Sequence, residues 1–185
     1  MSTDNRADDL HGDVPGATEH VGSAGTEQVG RAVDPFARLA ELGVTLPAMT
    51  PPLAAYVPAV QTGNIVYVSG QVPMADGALI ATGKVGAEVS AEQARQLAQR
   101  CALNGLAAIH ALVGLERVVR VVKVVGFVAS ADGFTGQPAV INGASEFLGA
   151  VFGDAGRHAR SAIGVAELPL GAPVEVEMIV EVRPG

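Results

Sequence analysis

Apolar and charged residues alternate from Val174 to Val182, with Ile179 the one apolar residue in the charged row. Val174, Val176, Met178, Val180 and Val182 fall on one face, and Glu175, Glu177 and Glu181 on the other. The preceding segment, Arg160 to Ala166, alternates as well: Ser161, Ile163 and Val165 point one way, Arg160, Ala162, Gly164 and Ala166 the other. A Leu-Pro turn joins these two predicted strands. Val118 to Val128 is a near-continuous β-branched run, the pattern of a strand buried on both faces. Ala55–Gln61 and Ile65–Ser69 predict a hairpin around Thr62-Gly63-Asn64, and Ala75-Asp76-Gly77 and Ala131-Asp132-Gly133 predict turns.

Helical periodicity marks three segments. Pro35 to Leu42 is short, with Pro at its start and Gly43 at its stop; Pro47, Pro51 and Pro52 then enforce an extended connector. Ser90 is placed to cap a long helix, with Gln93 at the capping-box position, running to about Leu112 and stopped near Gly114. Leu97, Cys101, Ala108, Ile109 and Leu112 form its apolar stripe, which makes Cys101 a core residue and leaves His110 on the surface. Pro138 to Phe152 is the second long helix, with Val140, Ile141, Ala144, Phe147, Leu148 and Val151 inward and Asn142 and Glu146 sharing a face.

The resulting order, β-β-(β)-α-β-α-β-β, has a consequence. Two long helices cover only one face of a sheet, yet Val118–Val128 and Ile65–Val68 have the pattern of burial on both. A second copy of the chain is the economical cover, so the pattern predicts an oligomer. Residues 1–34 are poor in large apolar side chains and rich in Asp, Gly, Ser, Thr and Glu. Such a segment cannot offset its ordering entropy and is expected to be a disordered acidic tail on a domain spanning 35–185. His11 and His20, isolated within it, make a poor metal site.

Composition narrows the function classes. The net charge is −7 and aromatic content is 4% with no Trp, which opposes binding of a phosphate backbone and stacking of bases. The single Cys101 excludes an internal disulfide framework and a cysteine-rich zinc site. With no signal peptide and no apolar run of about 20 residues, a soluble cytoplasmic protein that does not engage a membrane is expected.

One fork-shaped cation and a row of carboxylates on successive segments suit a small anionic substrate attacked by water. Arg can hold a carboxylate bidentately, and Glu can position or deprotonate the water. A solvated face carrying routine surface charges has the same pattern. Gly70 either lets a neighbour approach the backbone closely or marks a bulge.

The run R-S-A-I-G-V-A-E-L-P followed by V-E-V-E resembles the signature of the RidA (YjgF-type) family of imine/enamine deaminases. The resemblance extends back through Y-V-P-A-V-Q-T-G-N, V-S-G-Q-V-P, G-F-V and V-I-N-G-A-S-E, covering about Leu39 to Val182. P-P-L-A-A-Y-V-P, G-K-V-G, A-L-N-G-L-A and G-R-H-A-R-S-A are similar to a branch named only as RidA-family or YjgF-like endoribonuclease. The resemblance implies an α+β, chorismate-mutase-like fold: a mixed β-sheet with two long helices packed on one face, a homotrimer, and ligand clefts between subunits. It implies hydrolysis of 2-imino acids such as 2-iminopropanoate to 2-oxo acids and ammonia, with no cofactor and no metal. Arg160 then corresponds to the carboxylate anchor and Glu175 to the residue that handles water or the substrate nitrogen. Tyr56, Ser69, Gly70, Phe127, Asn142 and Ala162 correspond to the substrate pocket; Glu177, two residues on from Glu175 and on the same face, is expected to be a structural carboxylate. Many members carry Cys two residues after the arginine; Ala162 stands there, so a thiol mechanism is excluded at that position. Two alternatives remain: a ribonuclease using His158 as acid or base, and a non-catalytic trimer that captures a small carboxylate.

Overall fold

The computed structural model describes residues 33–49 and 55–185. His11, His20, Pro51, Pro52 and all but the last two residues of the expected tail lie outside the described residues. Asp34, the last of that expected segment, caps α1 (Pro35–Glu41): its Oδ1 accepts from the Phe36 N–H at 2.9 Å. Arg38 of α1 donates through Nε to the Ala150 carbonyl at 3.1 Å, tying this short helix to α3 (Gln137–Phe152).

The sheet is assembled from β1 (Ala59–Thr62), β2 (Ile65–Gln71), β5 (Val118–Ala129), β6 (Ala159–Val165) and β7 (Val174–Val182), in the order β1-β2-β7-β5-β6. All pairs are antiparallel except β5 and β6, which α3 connects as a crossover. β3 (Met74–Ala75) and β4 (Ala78–Leu79) form a separate small hairpin. Its Asp76-Gly77 turn has both residues at positive φ, a geometry that glycine supplies without strain.

α2 (Ala91–Val113) and α3 pack on one face of the sheet. Ser90 accepts from the Gln93 N–H at 3.1 Å, so the predicted cap forms. The core joins Leu97, Cys101, Leu106 and Ile109 of α2 and Val140, Ile141, Ala144 and Leu148 of α3 to the apolar row of β7. This is the α+β mixed sheet with two long helices on one face that the sequence implies.

Two expectations need correction, and a third, burial of β5 and β2 on both faces by a second copy, goes beyond a single chain. The first strand starts at Ala59 rather than Ala55, because the Val57 and Pro58 carbonyls bond to the Ser69 hydroxyl and N–H instead of to a ladder. Leu112, counted in the apolar stripe of α2, is 45% exposed near the helix end. Within one chain β5 is buried on one face only: Val121, Val124 and Val128 are fully buried, whereas Val119 and Val122 are 44% and 37% exposed. β2 behaves likewise, with Val66 buried and Tyr67 exposed. The helices cover one face, and none of the described elements packs across the other.

Candidate active site

The residues singled out in the sequence fall into two groups. Glu175 lies on β7 opposite Phe127 of β5, and Phe127 is in turn opposite Ile163 of β6, so these side chains share the face away from the helices. Gly70 stands beside Glu175. The β2–β7 register shifts between Val68 and Gln71, and a Cβ built on Gly70 would stand 2.7 Å from Glu175 Cδ and closer still to Oε1. Gly70 is therefore both a bulge and a place of close approach, and what approaches is the Glu175 carboxylate. Burial, and secondarily the neighbouring Glu177, raise the Glu175 pKa from its ordinary value. A carboxyl held in this way is poised to exchange a proton nearer neutrality.

Arg160 faces the other way. It lies opposite the buried Val124, and its Nη1 donates to Asn142 Oδ1 at 2.8 Å and to Ser145 Oγ at 3.1 Å, both on α3. Ala162 follows on the same face, packed against the core. Behind Ser145 stands His158, with Nε2 at 3.0 Å from the hydroxyl and Nδ1 at 2.6 Å from the Gly156 carbonyl. Burial lowers the His158 pKa and the Arg160 charge lowers it further, while the bond to Gly156 opposes both. Among the described residues Arg160 makes no ion pair; its partners are neutral oxygens. A half-buried guanidinium with only neutral partners keeps both charge and donors for an anion.

Arg160 and Glu175 are not brought together in one chain. β5 runs between their strands, and the two side chains leave opposite faces of the sheet. β6 is an edge strand, so Arg160 is positioned where another chain can reach it.

Tyr56 is 55% exposed, before β1 rather than in it. It lines a cleft of about 260 Å³ with Gly70, Gln71, Arg100, Asn104 and Leu170 among others. Ser69 borders this region, but its hydroxyl donates to the Val57 carbonyl at 2.7 Å and holds the Tyr56–Pro58 segment against β2. Asn104, the buried polar residue of the described core, donates through Nδ2 to the Val72 and Met74 carbonyls at 3.0 and 3.2 Å. Arg100 donates through Nε to the same Met74 carbonyl at 2.8 Å. Arg100, Asn104, Leu170 and Ser145 escaped the sequence reading. The available signals were helical spacings: Arg100 and Asn104 four apart on α2, Asn142 and Ser145 three apart on α3.

Cys101 is fully buried, with its pKa raised well above the ordinary thiol range by burial first and by Glu175 second, as befits a core residue and not a nucleophile. Among the described residues no group of three or more His, Cys, Asp or Glu side chains could hold a metal ion, and no helix is long and apolar enough to cross a membrane.

A model of the family described as Endoribonuclease L-PSP matches residues 47–182. Protein TCP17 of Trypanosoma cruzi is 45% identical over 149 residues, covering 80% of this chain and 93% of that protein. The 2-iminobutanoate/2-iminopropanoate deaminase of Dermatophagoides farinae is 33% identical over 140 residues, covering 76% of this chain and 95% of its own length. Among solved structures, the protein Atu1372 of Agrobacterium tumefaciens, of unknown function, is 47% identical with a TM-score of 0.75, over 80% of this chain and 92% of that one.

Proposed function

The chain belongs to the Endoribonuclease L-PSP family, the RidA (YjgF-type) family, and from that membership we propose that it hydrolyses 2-imino acids to 2-oxo acids and ammonia. The observation that carries this reading is Arg160: a half-buried guanidinium at a sheet edge, braced by Asn142 and Ser145, with no carboxylate of its own among the described residues. A 2-imino acid brings the missing carboxylate. The deaminase among the relatives supports the same class of substrate.

The reaction needs no cofactor. Arg160 binds the substrate carboxylate. Glu175, with its pKa raised toward neutrality, accepts a proton from water as the water oxygen bonds to the imine carbon. Glu175 returns that proton to the imine nitrogen, giving a carbinolamine; the carbinolamine hydroxyl then passes its proton through Glu175 to the amine as the carbon–nitrogen bond breaks, so that ammonia and the 2-oxo acid leave and the carboxylate is regenerated. Because Arg160 and Glu175 leave opposite faces of one sheet, the site is composite: Arg160 of one copy works with Glu175 of a neighbouring copy. A homotrimer supplies three such junctions and covers the open face of β5 and β2.

The test uses an amino-acid oxidase to generate imines in situ. Arg160→Ala should abolish most hydrolysis. Glu175→Gln should lower turnover by about 10²–10⁴-fold, the usual cost of losing one acid–base group. Co-assembling the two inactive variants should restore about a quarter of wild-type activity, since in a randomly mixed cyclic oligomer that share of junctions has both groups intact. Wild-type hydrolysis in both single variants would refute the site. No recovery in verified mixed oligomers would refute its composite form. A wild type that binds 2-oxo acids through Arg160 without turnover would make the protein a carboxylate-binding trimer instead. A ribonuclease role has less support: both ring nitrogens of His158 are engaged, and the charge of −7 opposes a nucleic-acid partner.

A further inference from the structure

The surroundings of Arg160 are more specific than a simple anchor requires. Nη1 carries two hydrogens, and its two bonds, to Asn142 Oδ1 and Ser145 Oγ, use both. What remains is the Nε–H and the hydrogens on Nη2. The direction of every bond behind Ser145 is also fixed. The Gly156 carbonyl can only accept, so His158 Nδ1 carries a hydrogen toward it. A neutral ring protonated at Nδ1 offers Nε2 as an acceptor, so the Ser145 hydroxyl donates there and keeps its lone pairs for Arg160. Burial and the Arg160 charge both favour that neutral ring. Without His158, a mid-helix serine would be free to turn its hydrogen back to a carbonyl of the preceding turn.

We propose that Ser145 and His158 are positioning residues that lock the Arg160 guanidinium with its Nε–Nη2 edge outward, so that the site takes a planar carboxylate side-on along that edge. The donor chain runs Arg160 to Ser145 to His158 to the Gly156 carbonyl, and the two committed hydrogens on Nη1 leave one edge for the ligand. This rests on the carboxylate-anchor part of the reading above and adds the residues and the geometry that give the anchor its selectivity.

The test measures binding of pyruvate, a 2-oxo acid, to the full chain by titration calorimetry, alongside KM and kcat for imine hydrolysis. Ser145→Ala suits the helix interior and should leave the fold intact. It should weaken pyruvate binding roughly tenfold, in line with the loss of one bond to a charged group, and raise KM by the same factor with kcat within about twofold. His158→Ala should weaken binding by a smaller factor and add nothing in the Ser145→Ala background, because the chain is serial. Ser145→Thr keeps the hydroxyl and should bind within about threefold of wild type. The proposal is overturned by wild-type binding in Ser145→Ala, by fully additive losses in the double variant, by Ser145→Thr behaving like Ser145→Ala, or by a wild type that binds no 2-oxo acid. A wild type that binds pyruvate yet turns over no imino acid refutes the deaminase reading alone, and the binding series still decides the role of Ser145 and His158.

Discussion

Gly70→Ala is the smallest perturbation that separates the two halves of the proposed site. The added methyl would stand 2.7 Å from Glu175 Cδ, against about 3.5–4.0 Å for an unstrained carbon–carbon contact, and closer still to Oε1, so the carboxylate must retreat by at least about 1 Å. Glu175 faces away from the core and is only half-buried, so it has room to swing. The displacement therefore reaches function with little effect on folding. A misplacement of about 1 Å in a catalytic group can cost on the order of 10²-fold, and that factor should fall on kcat. KM should stay within about twofold, because Arg160 lies on the opposite face and sets the binding term. Stability should hardly change: replacing a strand glycine by alanine contributes about 0.5–1 kcal/mol through the unfolded chain, offset by the moved side chain. The assay is imine hydrolysis across substrate concentrations, with thermal unfolding of each variant. Wild-type kcat in Gly70→Ala, with Glu175→Gln still impaired, would refute the claim that Gly70 sets the position of the carboxylate.

The same structure sets further expected outcomes. Glu175 has a raised pKa in the folded state, so folding binds a proton more tightly there; that contribution is present at low pH and is lost as pH rises through the folded value. Glu175→Gln should therefore raise Tm relative to wild type at pH 8 and much less at pH 4; the reverse order would mean that the carboxylate is stabilised, not strained. Removing residues 1–32 should leave Tm within a few degrees, whereas removal through Asp34 should cost about 1 kcal/mol by deleting the cap of α1; equal melting curves for the two truncations would show that the cap contributes nothing. Light scattering at micromolar concentration should give the mass of three chains, and a monomer would leave the open sheet face and the composite site unexplained.

Much of the fold was legible because its signals are local. Ser90 with Gln93 marked the start of α2, Gly114 its stop, and the apolar spacing of α3 named its buried side chains. The alternation of β7 separated its core row from Glu175, Glu177 and Glu181. The errors arose where tertiary partners decide. Tyr56 and Val57 have strand-like character, but Ser69 captures the Val57 carbonyl and keeps that segment out of the ladder. Val119 and Val122 continue a β-branched run, yet burial on their side depends on whatever covers the sheet rather than on anything in their own sequence.

The candidate site was half legible for the same reason. Alternation assigns a side chain to one of two faces within its own strand, but it does not say which strand lies beside which. Arg160 and Glu175 are close in sequence across a short connection, and that proximity suggested adjacency. The parallel pairing of β6 with β5 places a whole strand between them, and the register turns them to opposite faces. Separation in this manner is informative. A site that joins these two residues cannot close within one chain, since a sheet is impermeable to a small substrate. On the composite reading proposed above, the β6 edge of one copy would meet the open face of another, the face whose β-branched pattern called for a partner. Two independent features, the uncovered valines and the divided pair, thus make the same demand on assembly. Hydrolysis should therefore fail whenever the oligomer is dissociated, even in a chain that remains folded.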